Sequence, residues 1–426
     1  MLIRRRDADS PLLSPRALGR FLPRVLPAVT EYLALALAAG TQAEPSWNDV
    51  EWRIARAVAV IHGISPLLST RLAWAGPPGW RTFLESQRTH TASRYLRMTA
   101  LLAKIDELAV QQKIAFLPLK GEALHAIGLY AAGERPMADI DLLVKGGQLG
   151  AMSQAISLLG YRLVSSTPSE QGLVPIDRPA ASYLGEHADQ GITIELHSRI
   201  HWPMPVRVVD ITAQLWPATP RSGRNDYPSL GALMAHLLMH AAVNMQLRIL
   251  RMLQLHDIAL LARRMSVSDW NEVLEPSVGC GPSWWSLPPL QLTEHYYPGA
   301  IPVPTIESAR VGCPALLRFL TPGWRISEVS ASNLRRSLFP ALTWAGSVPE
   351  AANCVGNRLM RGMQALRGSP RIPATTELQP WITPSHRWRL LEVVLGRSRP
   401  ESLSVIRAAL DSDLPASPSQ ARPKAA

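Results

Sequence analysis

The ten residues Arg135-Pro-Met-Ala-Asp139-Ile-Asp141-Leu-Leu-Val144 constrain the fold more tightly than any other stretch of the chain. Side chains alternate across a β-strand, so Asp139 and Asp141 share one face while Ile140, Leu142 and Val144 point into a core. Two carboxylates this close repel each other unless a cation lies between them. Their hard oxygens suit Mg²⁺, with Mn²⁺ as an alternative ion.

The flanking sequence predicts a mixed sheet of an α+β domain. Ile114 to Leu119 reads as a buried strand, Gly121 to Leu129 as a helix and Ala138 to Val144 as a second strand. Gln148 to Leu159 reads as a helix stopped by Gly160, followed by a strand from Tyr161 to Val164. After a polar, proline-rich interval, Gly191 to His197 alternates as a fourth strand.

That fourth strand offers a third carboxylate. Glu195 and His197 share a face opposite Ile194 and Leu196, and this polar face can turn toward the aspartate pair. Three carboxylates can hold two metal ions about 3.5–4 Å apart for displacement at phosphorus. Lys120-Gly121, just before a helix, offers a phosphate cradle in which Gly121 allows close backbone approach. Lys120 and Arg135 would add cationic contacts to a triphosphate.

These motifs, taken in order, resemble a poorly characterised bacterial nucleotidyltransferase family within the polymerase-β-like superfamily. The resemblance rests on Leu119-Lys120-Gly121, Arg135, Asp139-Ile-Asp141-Leu-Leu-Val, Gly160-Tyr161 and Ile194-Glu195-Leu-His197. It spans roughly Trp52 to Trp270, with a weaker echo at Leu334 to Trp344. It implies a polymerase-β-like nucleotidyltransferase mixed sheet with added helices, and transfer of NMP from a nucleoside triphosphate with release of pyrophosphate. Asp139, Asp141 and Glu195 match the catalytic metal ligands; Lys120, Gly121 and Arg135 fall to nucleotide binding. Lys120-Gly121 stands where the wider superfamily has Gly-Ser, which removes a common phosphate contact. The acceptor is left open among a small molecule, a glycan, a peptide and an RNA end.

Other readings stand beside these. Arg135 can pair with an aspartate instead of a phosphate, and Glu195 can be a surface residue of an edge strand. His197 reads as a hydrogen-bonded scaffold residue and Asp257 as a packing residue tied to an arginine. His236 and His240 have the i, i+4 spacing of a zinc pair but no third ligand, and read as buried or cleft-lining histidines. The tryptophans near Trp284 read as packing residues. A non-catalytic nucleotide-binding or protein-interaction scaffold is the rival from another class. An RNA-directed enzyme draws only on the net charge of +11.

An apolar fraction of 47% over 426 residues provides a sizeable core. The sequence divides into an arm over 1–16, helices over 17–112, the catalytic core over 113–227, a helical cover over 228–345, a C-terminal helical region over 346–413 and a disordered tail over 414–426. In the N-terminal part Ser46 and Asp49 supply capping chemistry for a helix from Trp47 to Leu72, and Gly76 to Gly79 break that layer. A helix from Thr89 to Gln112 carries a Leu101, Ile105, Leu108 stripe. In the cover, helices are expected over Leu230 to Met245 and Leu247 to Arg264, the second with Ile249, Met252, Leu253 and Leu260 on one stripe. Three cysteines without Cys-x-x-Cys spacing point to neither a zinc ribbon nor a disulfide framework, and to a cytoplasmic setting. Arg4 to Arg6 before the apolar stretch from Val25 to Gly40 imitate a leader, but an amphipathic helix from Thr30 is the expectation, with no membrane partner.

Overall fold

A computed structural model describes residues 15–366 except 41, 178–183, 206, 276–282 and 335–341, together with residues 400–411. Of the arm expected over 1–16, residues 1–14 lie outside the described residues and 15–16 begin the first helix; the tail over 414–426 and most of the Leu334 to Trp344 segment also lie outside.

Four helices precede the sheet: α1 (Pro15–Ala39), α2 (Asp49–Ile61), α3 (Ser65–Arg71) and α4 (Pro78–Gln111). The first begins fifteen residues before the expected Thr30 and contains Pro23 and Pro27. Burial of Leu22, Leu26, Val29, Leu33 and Leu37 along one face offsets the backbone hydrogen bonds that the prolines remove. Asn48, not Ser46, caps α2, with Glu51 completing a reciprocal capping box. The expected single helix from Trp47 to Leu72 is two helices, because Gly63 turns at φ +67° and α3 begins anew at Ser65 with Pro66 in its first turn. The 34-residue α4 starts within the Gly-Pro-Pro-Gly break, at Pro78. Its buried line runs Leu84, Gln87, Thr91, Arg94, Met98, Leu102, Ile105, Ala109, so Leu102 and Ala109 replace Leu101 and Leu108.

The sheet comprises β1 (Ala115–Pro118), β2 (Asp139–Val144), β3 (Tyr161–Ser166), β4 (Glu170–Pro175), β5 (Thr193–His197) and, beyond the β6–β7 hairpin (His201–Pro203 and Val208–Asp210), β8 (Gly223–Arg224). Its order is β3-β4-β5-β2-β1-β8, with β2 parallel to β5 and antiparallel to β1. Helices α5 (Gly121–Ala126) and α6 (Leu149–Ser157) flank β2 in the chain. One sheet face, with Phe116, Ile140, Leu142, Val144, Ile194 and Leu196, packs on α4 and α6 in a core of its own. Leu117 and Leu143, paired across β1 and β2, belong to the opposite face and to the larger core. Strand β4 lies where the sequence reading placed a polar interval; Glu170 is exposed, and only Leu173 and Val174 are fully buried.

After the short α7 (Thr212–Leu215), α8 (Leu230–Leu247) and α9 (Met252–Ala262) cover the larger core together with α1 and α2. The second cover helix starts five residues later than expected, because Arg248 takes a left-handed conformation and Leu250 bridges to Ser330. Ile249 is therefore outside the helix and 37% exposed. By length and composition alone α8 and the Phe21–Ala39 part of α1 could cross a membrane, which the sequence reading did not expect of the α8 segment. In the fold α8 is a core helix, with 78% of its apolar window buried. Trp284 and Trp324 each pack against Trp344 in the C-terminal part. The helix Pro400–Asp411 returns to α2, where Arg56 donates to the carbonyl of Ala409 at 3.3 Å and Arg53 to that of Leu410. Guanidinium groups there satisfy carbonyls at a helix C-terminus.

Candidate active site

The parallel register of β2 and β5 sets Asp141 directly beside Glu195 and Leu143 beside His197, so all four side chains share one face. Ligand atoms of Asp141, Glu195 and His197 lie within 4.8 Å of one another, the one such group of three among the described residues. Asp139 pairs with Thr193 one step along the strand and lies outside that group. Its charge nevertheless acts on Glu195.

Asp141 is 7% exposed and engaged at both oxygens. Lys120 Nζ donates to Oδ2 at 2.8 Å and His197 Nε2 donates to Oδ1 at 3.1 Å. An ionised carboxylate only accepts, so Nε2 carries the proton. His197 is also 3.9 Å from Glu195 Oε2. Burial acts to raise the Asp141 carboxyl, but Lys120 and His197 overcome it and hold the group well below the usual carboxylate range. Burial and the charge of Asp141 push Asp139 upward. Burial, then Asp141 and Asp139, push Glu195 to about 7. Three neighbouring carboxylates thus cannot all ionise freely without added positive charge.

Lys120 has φ 50° and ψ −109°, a backbone conformation that favours glycine, and it leads directly into α5. This strained turn aims its ammonium at Asp141. Burial opposes that charge, yet Asp141 raises the lysine above its ordinary value. At Gly121 a Cβ would fall 2.4 Å from Arg135 Nη1 and 2.7 Å from Met137 Sδ. A serine there would force Arg135 or Met137 to shift, so the packing beneath the turn favours glycine over the serine of Gly-Ser.

Arg135 is that packing. Its Nε and Nη2 contact the two oxygens of Asp257 at 2.9 and 2.8 Å, and Tyr130 donates to the same carboxylate at 2.7 Å. The pair is buried, and Nη1 is left facing Gly121. Tyr227 bonds His236 Nδ1 at 2.7 Å, while His240 contacts Gln254 at 3.0 Å and Asn244 at 3.2 Å. Both histidines are thus tied into hydrogen bonds.

Several contributors carry little signal in the sequence. His197 joins the ligand group, and its shared face with Glu195 is the trace that could have promoted it. Arg94 lies on the polar part of the α4 stripe; it pairs with Glu186 at 2.7 Å and donates to the carbonyls of Met137 and Ala138 at 3.1 and 3.2 Å, fixing the entry to β2. Gln87, two turns earlier, grips residues 184 and 186.

The model of a family described as uncharacterised nucleotidyltransferase matches residues 48–295, from the start of α2 through the sheet and cover helices into the helix Leu287–Tyr296. No curated protein and no solved structure matches the chain. With the match spanning more than half of the sequence and containing the whole acidic sheet face, the chain belongs to this nucleotidyltransferase family.

Proposed function

We propose that the protein transfers a nucleoside monophosphate from an NTP to an acceptor and releases pyrophosphate, using Mg²⁺ or Mn²⁺ at the Asp141, Glu195 and His197 cluster with Asp139 beside it. The observation that carries this reading is the convergence of those three ligand atoms within 4.8 Å on the face that Asp139 shares. The donor set fits a divalent cation: two carboxylates and an imidazole, with Glu195 raised to about 7 by burial and then by the charges of Asp141 and Asp139. When bound, such ions supply charge neutralisation for a triphosphate and acidify an acceptor hydroxyl.

The chain's own residues divide the remaining work. Asp141, kept ionised by Lys120 and His197, is a pre-formed ligand at all ordinary pH values. For a cation to be held there, Glu195 and the His197 nitrogen that now donates to Asp141 would each have to give up a proton. Lys120 and Gly121, on the turn ahead of α5, would steady the departing pyrophosphate, and Arg135 backs that turn from below. A pyrophosphate-release assay with each NTP, Mg²⁺ and a cell extract as acceptor source tests the reading. Turnover should vanish in Asp141→Asn, and unchanged turnover in that variant overturns it.

The scaffold reading has one observation in its favour: Asp141 is already satisfied by Lys120 and His197 without any metal. Calorimetry with Mg²⁺ and NTP separates the two, because a scaffold binds without releasing pyrophosphate.

A further inference from the structure

One helix fixes where two strands of the acidic face begin. The segment leading into β5 is held against α4 by side-chain bonds to its backbone. Gln87 Nε2 donates to the carbonyls of Leu184 and Glu186 at 3.4 and 3.2 Å, and its Oε1 accepts from the Glu186 N–H at 2.7 Å. His90 Nδ1 accepts from the Ala188 N–H at 3.2 Å, and Arg97 donates to the carbonyls of Ala188 and Gln190. Alternate residues from 184 to 190 are thus gripped in turn.

Arg94, buried on the same helix, reaches both strands. Nη1 donates to the Gln190 carbonyl at 3.0 Å, three residues before β5. Nη2 donates to the carbonyls of Met137 and Ala138 at 3.1 and 3.2 Å, immediately before β2. Nε lies 2.7 Å from Glu186 Oε2, which sets a countercharge beside the buried cation. Strands β2 and β5 are parallel, so both leave this guanidinium side by side, with Asp139 next to Thr193 and Asp141 next to Glu195. Their relative register is decisive, because a slip of one residue would turn Glu195 into the apolar core and bring Ile194 or Leu196 to Asp141.

We infer that Arg94 is a positioning residue of the acidic face, the staple that sets Glu195 of β5 against Asp139 and Asp141 of β2. The inference rests on the transferase reading only for the use made of that spacing, since the hold on the two strands is independent of it. A planar guanidinium presents donors in separate directions and spans two strands, which the single ammonium of a lysine cannot do. Among the described residues the bonds of Gln87, His90 and Arg97 to these lead-in segments reach only the one before β5.

Arg94→Lys in the full chain keeps the charge beside Glu186 and removes the span. Hydrogen–deuterium exchange followed by mass spectrometry should show faster exchange over 136–142 and 190–196, with β3, β4 and the cover helices unchanged. Mn²⁺ affinity without nucleotide, read by electron paramagnetic resonance, should weaken by roughly tenfold to a hundredfold, as expected for losing a group that orients metal ligands. Arg97→Ala strips bonds from the segment before β5 but none from β2, and should leave exchange over 136–142 and Mn²⁺ affinity as in the wild type. Arg94→Gln, which removes the buried charge as well, carries the same expectations as the lysine variant if that variant does not fold. Unchanged exchange over either stretch overturns the inference, as does unchanged affinity where the wild type binds Mn²⁺. Exchange that rises evenly through the sheet, or loss of the fold in both variants, also overturns it by making Arg94 a residue of general stability. A wild type that binds no Mn²⁺ removes the transferase reading, and faster exchange confined to the two stretches then still upholds the staple.

Discussion

Lys120 Nζ lies 2.8 Å from Asp141 Oδ2, so the lysine of the turn occupies one oxygen of the central carboxylate in the acidic cluster. The ammonium both keeps Asp141 ionised and competes with any cation that approaches it. Lys120→Met removes the competitor while His197 still holds Oδ1. Affinity for Mn²⁺ alone should rise by about threefold to tenfold in this variant, a change of order one pKa unit in the local field. Titration followed by electron paramagnetic resonance reads this, and a weakened Mn²⁺ affinity contradicts it.

Glu195 carries a pH signature. Its carboxyl is raised from 4.5 to about 7 by burial and by the two aspartates, so the folded chain holds this proton more tightly than the unfolded chain does. The stabilising contribution is complete below pH 4.5 and is lost as pH rises through 7. Metal binding must displace the same proton, so apparent metal affinity should climb with pH and level off above about 7. In Glu195→Gln that climb should flatten; a wild-type affinity constant between pH 6 and 8 would speak against a protonated Glu195.

Three buried histidines act with the opposite sign. Burial lowers His62, His236 and His256 from 6.5 to about 3, so each folds neutral. Their contribution is whole above pH 6.5 and drains away as pH falls toward 3, because only the unfolded chain takes up the protons. Stability should fall by up to about 1.4 kcal/mol per pH unit for each histidine once pH is below 6.5. Urea unfolding midpoints measured from pH 7 to 5 show this, and a flat profile contradicts it.

The Arg135–Asp257 pair holds the floor of the turn. Both side chains are buried, so Asp257→Asn leaves a guanidinium without its countercharge. A loss of about 3–5 kcal/mol is expected from breaking a buried pair by one partner. Denaturant unfolding measures it, and a loss below about 1 kcal/mol would mean that the pair is better hydrated than its burial indicates.

The sequence was most legible where local periodicity and chemistry coincided. Thr193 to His197 alternates strictly and Asp139 to Val144 does so as far as Leu142, and both are strands of the predicted kind. The Asp141–Glu195 register joins residues fifty-four positions apart, and no periodicity encodes which strand lies beside which. Strand β4 escaped because an edge-like strand with few buried residues resembles a polar loop, and β8 escaped because it is two residues long. On α4 the stripe is polar where it grips the loop before β5, so a search for apolar spacing sees only its C-terminal half. Arg135 and Asp257 are 122 residues apart, and only the fold shows that the arginine's partner is this aspartate.

The helix Pro400–Asp411 lies more than a hundred residues beyond the family-matched segment, yet its last carbonyls are gripped by Arg53 and Arg56 of α2, within the first turns of that segment. Excising residues 48–295 as a minimal enzyme would strip α2 of this neighbour and of α1, baring Leu, Ile and Trp side chains to water. Such a fragment should aggregate, and its silence in an assay would report on solubility and not on chemistry.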